Sequence, residues 1–156
     1  METNVKTAHV DDAAPSKGAM HDPGVLAWLR LARVYHKVDR ATARLLKPWS
    51  LTVAQFDVMV QVGAAEGLTQ QDLADKLLVT KGNVTQVLDR LEKDGLVERR
   101  QHGRANLLYL TPRGRSLHDD VLPVQESMIG AAFGGLPPHE RARLLAALRR
   151  LDHTLT

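Results

Sequence analysis

The sequence predicts a mainly α-helical fold carrying a small two- or three-stranded β element. Three observations predict it. Apolar residues recur at steps of three and four through most of the chain after Val25, the period of a helix with one buried face. Threonines stand ahead of four of these runs, at Thr52, Thr69, Thr80 and Thr111, where helix N-caps belong. Two β-prone runs, "LVERR" and "NLLYLT", flank a single basic turn.

The bulk properties set the frame. At 156 residues, 44% hydrophobic and 25% charged, the chain suits one compact domain with a modest core. It has no cysteine, which excludes disulfides, thiol redox chemistry and thiolate metal sites. No apolar run approaches membrane-spanning length and the start has no signal-peptide block, so no membrane partner is expected and a soluble, cytoplasmic protein is. The net charge of +3 is unevenly spread. Residues 1–24 hold two lysines against four acids, whereas Lys81 to Arg115 holds eight Lys/Arg against four acids. Positive charge gathered in one segment is the footprint of a polyanion binder, or merely a solvated surface.

Residues 1–24, with Pro15, Gly18, Pro23 and Gly24, read as a flexible tail. Val25 to Lys47 reads as a helix that Pro48 ends. Trp28, Leu31, Tyr35, Val38, Thr42 and Leu45 form one stripe, and Arg30, Arg33, Lys37, Arg40, Arg44 and Lys47 form another. After the Thr52 cap, Phe56, Met59 and Val60 point inward and Gly67 closes the helix. A short helix follows Thr69 with Leu73, Ala74 and Leu77 buried. The next, capped by Thr80, buries Val84, Leu88 and Leu91 and ends at Gly95, a left-handed C-terminal position. The two strands come next. Thr111-Pro112 then opens a helix toward Phe133, in which Pro123 makes a kink or a break. A last helix carries Leu144, Leu145, Leu148 and Leu151 on one side.

Two short helices followed by a hairpin is the order of a winged helix-turn-helix, whose second helix enters the DNA major groove. With Val84, Leu88 and Leu91 inward, the opposite face shows Gly82, Gln86, Asp89 and Lys93, flanked by Asn83, Thr85 and Arg90. Gln and Asn can pair with adenine, and Thr can meet a methyl group or a phosphate. Thr80 and Lys81 at the helix start can hold a phosphate. The hairpin adds Arg99, Arg100 and Arg104, and an arginine at a hairpin tip suits a narrow minor groove.

Here the chain resembles the MarR family of bacterial transcription regulators. The residues that carry the resemblance are "LTQQDLADKLLVTKGNVTQVLDRLEKDGLVERR", then "RANLLYLTPRGRSL", with "LTVAQFDVM" upstream. The resemblance covers roughly residues 25–156 and implies a winged helix-turn-helix plus a helical dimerisation region. Residues 50–111 would be the DNA-binding unit, with 25–48 and 112–156 interlocking with a partner chain. The apolar-striped helices at both chain ends agree, since they need something to bury them. By the same resemblance Thr80, Lys81, Asn83, Thr85 and Gln86 would contact double-stranded DNA, Arg90 would contact a phosphate or be structurally paired, and Arg104 would be the wing-tip contact, in a homodimeric repressor on a pseudo-palindromic operator; Arg99 joins this DNA-binding set on the charge of its hairpin. One departure stands out. The family's wing usually carries an aspartate before paired arginines, whereas this chain has "HGR" in a shorter turn, which leaves the wing's geometry open.

Relatives of this kind often release DNA on binding small aromatic or phenolic anions. Arg33, Tyr35, His36, Arg40, Trp49 and Asp57 are the candidates for such an effector site, rings and cations suiting an aromatic carboxylate. Trp49 as a plain core residue and a merely solvated basic stripe are the competing readings. A metal is not expected: His118, Asp119 and Asp120 are adjacent in sequence and diverge on a helix. No nucleophile–base motif, phosphate loop or carboxylate pair marks an enzyme, and no cofactor is implied. The alternatives are a winged-helix protein-interaction module, or a DNA-binding regulator with no small-molecule effector.

Overall fold

Asp22 sets the start of the first helix. Its Oδ1 accepts from the Gly24 amide at 2.6 Å and the Val25 amide at 3.2 Å, and Pro23 occupies the first helical position, where its missing N–H costs nothing. The expected tail therefore ends sooner than Gly24. The structure, a computed structural model, describes residues 22–155, and the rest of the expected tail lies outside the described residues.

Helix α1 spans Pro23–Leu46, and Lys47–Trp49 forms a single 3-10 turn with Pro48 inside it. Ahead lie α2 (Val53–Ala64), β1 (Leu68–Thr69), α3 (Gln70–Leu77), α4 (Lys81–Lys93), β2 (Val97–His102), β3 (Ala105–Leu110), α5 (Pro112–Phe133) and α6 (Pro138–Thr154). The described residues divide into two compact units, one running to Lys37 and the other starting at Val38. In the first unit, α1 presents Leu26, Trp28, Leu29, Val34 and Tyr35 to solvent.

The second unit holds the core. Phe56 and Met59 of α2, Leu73 of α3, Leu88 and Leu91 of α4 and Leu108 of β3 are fully buried, together with Leu46 and Val121. Val60 and Leu77, expected inside, are only partly buried at its margin. The sheet is antiparallel in the order β1-β3-β2, with Leu68 opposite Leu108 and Arg99 on the other side of Leu108. Alternation along β3 sends Leu108 and Leu110 into the core and leaves Leu107 and Tyr109 half-buried on the opposite face.

All four threonine caps are present. Thr52 and Gln55 exchange side-chain bonds to each other's amides, as do Thr69 and Asp72, so α2 and α3 start with closed capping boxes. Thr80 accepts from Asn83 and Thr111 from Gly114. The helix α5 runs unbroken past Pro123, so of the expected kink or break the break is absent.

The end of α4 and the start of α5 are joined by several bonds. Gly95 takes a φ of 67°, letting the Leu96 amide reach back to Leu91 O at 2.9 Å and the Gly95 amide to Glu92 O at 3.0 Å. Thr111 Oγ1 donates to Gly95 O at 2.6 Å, the Thr111 amide to Leu96 O at 3.1 Å and Arg113 Nη1 to Asp94 O at 3.0 Å. Gly114 permits the approach, because a Cβ there would lie 1.8 Å from Leu96 O.

Candidate nucleic-acid interface

Helices α3 and α4 form the helix-turn-helix, and they meet through a polar bracket as well as the core. Gln70 Nε2 donates to Thr85 Oγ1 at 3.2 Å, and Thr85 Oγ1 donates to Lys81 O at 2.9 Å. Thr85, expected at the DNA, is therefore half-buried in the joint between the helices. The hydroxyl of Thr80 is also committed, as the α4 cap. Lys81, Asn83, Gln86 and Arg90 remain exposed on α4, and among the described residues none of their side chains has a hydrogen-bond or ion-pair partner. Sequence reasoning put Gln86, Asn83 and Arg90 on the side of α4 away from the core and Lys81 at its start, and all four are solvent-exposed.

The turn between the helices is strained. Leu78 adopts a left-handed φ of 53° and is 91% exposed, at a position where glycine avoids a Cβ clash. The Val79 amide reaches Ala74 O at 3.1 Å around it, which fixes the angle at which α4 leaves α3.

The wing sorts its arginines into different roles. Arg99, expected at the DNA, points to α4 instead. Its Nη2 lies 2.7 Å from Asp89 Oδ1, its Nη1 bonds Glu92, and its amide donates to Glu92 Oε1 at 3.1 Å. With its side chain only 16% exposed, Arg99 is a brace between wing and helix. Asp89 and Glu92 sit three apart on one flank of α4, and the brace cancels negative charge that would repel phosphates. Arg100 is held on the other sheet face, with its Nε 2.8 Å from Glu98 Oε1 and its guanidinium 4.3 Å from the Tyr109 ring centroid. Arg104 alone among the three is exposed and unpaired among the described residues.

The tip that carries Arg104 is a two-residue loop. His102 pairs with Ala105, and Gly103 takes a φ of 60° while Arg104 does not adopt a positive φ. Glycine at the first central position is the pattern of a type II′ turn, whose twist matches that of the strands. The wing thus gets its orientation from its base and its turn, without the wing aspartate usual in the family that the sequence resembles.

The effector candidates are placed as follows. In the first unit Arg33, Tyr35 and His36 are exposed, and the Tyr35 and His36 rings meet edge-on with centroids 5.6 Å apart. In the second unit Arg40 is exposed, and Trp49 is partly buried and packs against the core. Asp57 is half-buried, and burial, then the nearby Asp39 charge, push its carboxyl above the usual range. His118 is buried on α5 with Nδ1 2.7 Å from Asp119 Oδ1, and no group of three or more metal-ligating side chains gathers among the described residues.

Helix α6 has no buried residue. Leu145, Leu151 and Leu155 are exposed, and an open groove of about 380 Å³ runs along Leu148, Leu151 and Leu155. Among the described residues, no helix is long and apolar enough to cross a membrane.

Sequence reasoning missed the β1 strand and the bracket residue Gln70. Two residues are too few for a periodic signal, and the Gln70–Thr85 bond spans fifteen positions. The Thr52/Gln55 box was visible as "TVAQ", since Thr-x-x-Gln is a capping signature.

Comparison with known proteins agrees with this geometry. A family model described as MarR family matches residues 49–105. An uncharacterized HTH-type transcriptional regulator of Bacillus cereus is 35% identical over 130 residues, covering 83% of this chain and 88% of its own. Among solved structures, a mutant of MarR from E. coli complexed with operator DNA is 29% identical with a TM-score of 0.74, covering 82% of this chain and 95% of that one. Bordetella bronchiseptica BpsR, whose structure concerns regulation of DNA binding by 6-hydroxynicotinic acid, is 26% identical with a TM-score of 0.75, covering 81% of this chain and 98% of that one.

Proposed function

The chain belongs to the MarR family of transcription regulators, and from that membership we propose that it acts as a homodimeric repressor released by a small aromatic or phenolic ligand. As a family member it is a DNA-binding regulator and not an enzyme. The observation that carries the reading is the division of labour on α4 and the wing. Thr80, Thr85, Arg99 and Arg100 are spent on the scaffold, which leaves Lys81, Asn83, Gln86, Arg90 and Arg104 without side-chain partners among the described residues. Gln86 and Asn83 would read base edges, Lys81 and Arg90 would neutralise phosphates, and Arg104 would enter the minor groove.

Two further parts of the proposal concern a partner copy and a ligand. The apolar residues on α1 and on α6 are the expected cover for a second copy, and a two-fold dimer would require half-sites about one helical turn apart. The ligand response draws on BpsR and 6-hydroxynicotinic acid, with Arg33, Tyr35 and His36 in the first unit and Arg40, Trp49 and Asp57 in the second as candidates.

The test starts by recovering bound sequences from random duplex DNA and titrating them at several salt concentrations. Affinity should fall steeply with salt. Gln86→Ala should relax the base preference, and Arg104→Ala should weaken all sequences about tenfold. Absent or salt-insensitive binding sinks the reading. Sedimentation should give a dimer mass that Leu145→Asp reduces, and a hydroxylated aromatic acid should raise the melting temperature while releasing DNA.

A further inference from the structure

Leu78 is almost fully exposed, and Val79 beside it in the chain is exposed as well. Between Tyr35 and Val124 no other large apolar side chain among the described residues stands so open to solvent. Both come just ahead of Thr80, the cap of α4, the helix that the DNA-binding reading puts in the major groove.

A scattered exposed leucine needs no explanation, but the backbone sets this one apart. Leu78 holds φ 53° and ψ 40°, the left-handed region in which a Cβ is crowded and glycine is the usual occupant. Its amide donates to Ala74 O and to Asp75 O, and the Val79 amide donates to Ala74 O at 3.1 Å, so the strained turn is pinned. Glycine would make the same backbone bonds without the strain, and the leucine side chain packs on almost nothing. Strain of this kind gathers where a site uses the residue that carries it.

The surroundings narrow the occupant. Two side chains are a small part of the about 1,200 Å² that a specific protein interface buries, so the pair is too small to dock a protein. It is the right size for a single methyl group. Lys81 and Asn83 follow within the next five residues, exposed and without side-chain partners among the described residues. The apolar pair therefore runs on along the chain into the part of α4 proposed to face the duplex. The major groove offers such a pair one apolar group, the C5 methyl of thymine, which cytosine lacks.

We infer that Leu78 is a specificity residue whose side chain covers the C5 methyl of one thymine in each half-site, at the edge of the bases that α4 reads. The inference rests on the DNA-binding reading and adds the turn between α3 and α4 to it. The left-handed backbone is then the conformation that presents the leucine to the groove.

The experiment uses the full chain and a duplex recovered from random DNA by selection. Its thymines are replaced one at a time by deoxyuridine, which deletes only the methyl. For the parent, one such replacement in each half-site should cost about fourfold in affinity, the contribution of one buried methyl group. Leu78→Ala should bind the thymine duplex about fourfold more weakly and be indifferent to uracil at that position, while keeping the parent response at every other thymine. Leu78→Gly should melt above the parent and show the same loss, which separates the contact from damage to the fold. Selection repeated with Leu78→Ala should return a site in which that thymine is no longer preferred. If both variants keep the parent affinity, uracil profile and selected site while Gln86→Ala relaxes its own preference, Leu78 lies outside the interface and the DNA reading stands. A uniform loss of binding with the parent uracil profile intact makes Leu78 a support of the turn and overturns the inference as well. If the parent itself binds no duplex, both readings fall.

Discussion

Arg99 Nη2 lies 2.7 Å from Asp89 Oδ1, so strand β2 of the wing is fastened to the exposed flank of the recognition helix. The same guanidinium reaches Glu92, one helical turn further along α4. One side chain thereby sets the angle between the two elements that would meet DNA.

Replacing Arg99 by alanine should lower stability by about 1–2 kcal/mol, because it frees two carboxylates from a mostly buried partner. DNA affinity should fall as well, for a different reason from Arg104→Ala. The freed acids would face the phosphates and the wing would lose its angle. Urea unfolding and DNA titration on the same sample check both. Loss of affinity with unchanged stability would instead make Arg99 a direct DNA contact.

Leu78→Gly should stabilise the protein by about 0.5–1 kcal/mol. The leucine holds a left-handed backbone at φ 53° and is 91% exposed, so glycine relieves strain and forfeits little packing. Thermal unfolding of the pair decides it, and a lower melting temperature for the glycine variant would count against the strain.

Asp57 gives a pH dependence of defined sign. Burial and the Asp39 charge raise its folded value, so its protonated form is the one the fold prefers. That preference favours folding fully below the unfolded carboxylate value and is lost as pH rises through the raised folded value. At pH 7 the ionised group is a cost, which Asp57→Asn removes. The variant should melt above the parent at neutral pH, with the gap closing by about pH 4. A gap that widens on acidification would contradict the burial argument.

Gly114→Ala should cost more than about 3 kcal/mol. Its Cβ would fall 1.8 Å from the Leu96 carbonyl oxygen, and that backbone is already held by the Thr111 amide. Circular dichroism melting checks this, and near-parent stability would mean the α4–α5 joint can open without penalty.

Much of this fold was legible in the sequence because its signals are local. A threonine three residues ahead of a free amide marks a cap whether or not the rest of the chain is known, and Thr52, Thr69, Thr80 and Thr111 all do so. The apolar stripe of α4 likewise foretold which of its residues stay outside. Partners distant along the chain were not legible. Arg99 read as free charge because Asp89 and Glu92, ten and seven positions away, looked like ordinary solvated acids. Thr85 read as a DNA contact because nothing local announces Gln70.

The bonds from Thr111 and Arg113 to the end of α4 have a mechanical consequence. They weld the recognition helix to a 22-residue helix about 33 Å long. A tilt of about 5° at the weld corresponds to about 3 Å at the Phe133 end. Whatever grips that far end therefore works with leverage, and a coarse displacement there arrives at Gln86 as a fine adjustment of aim.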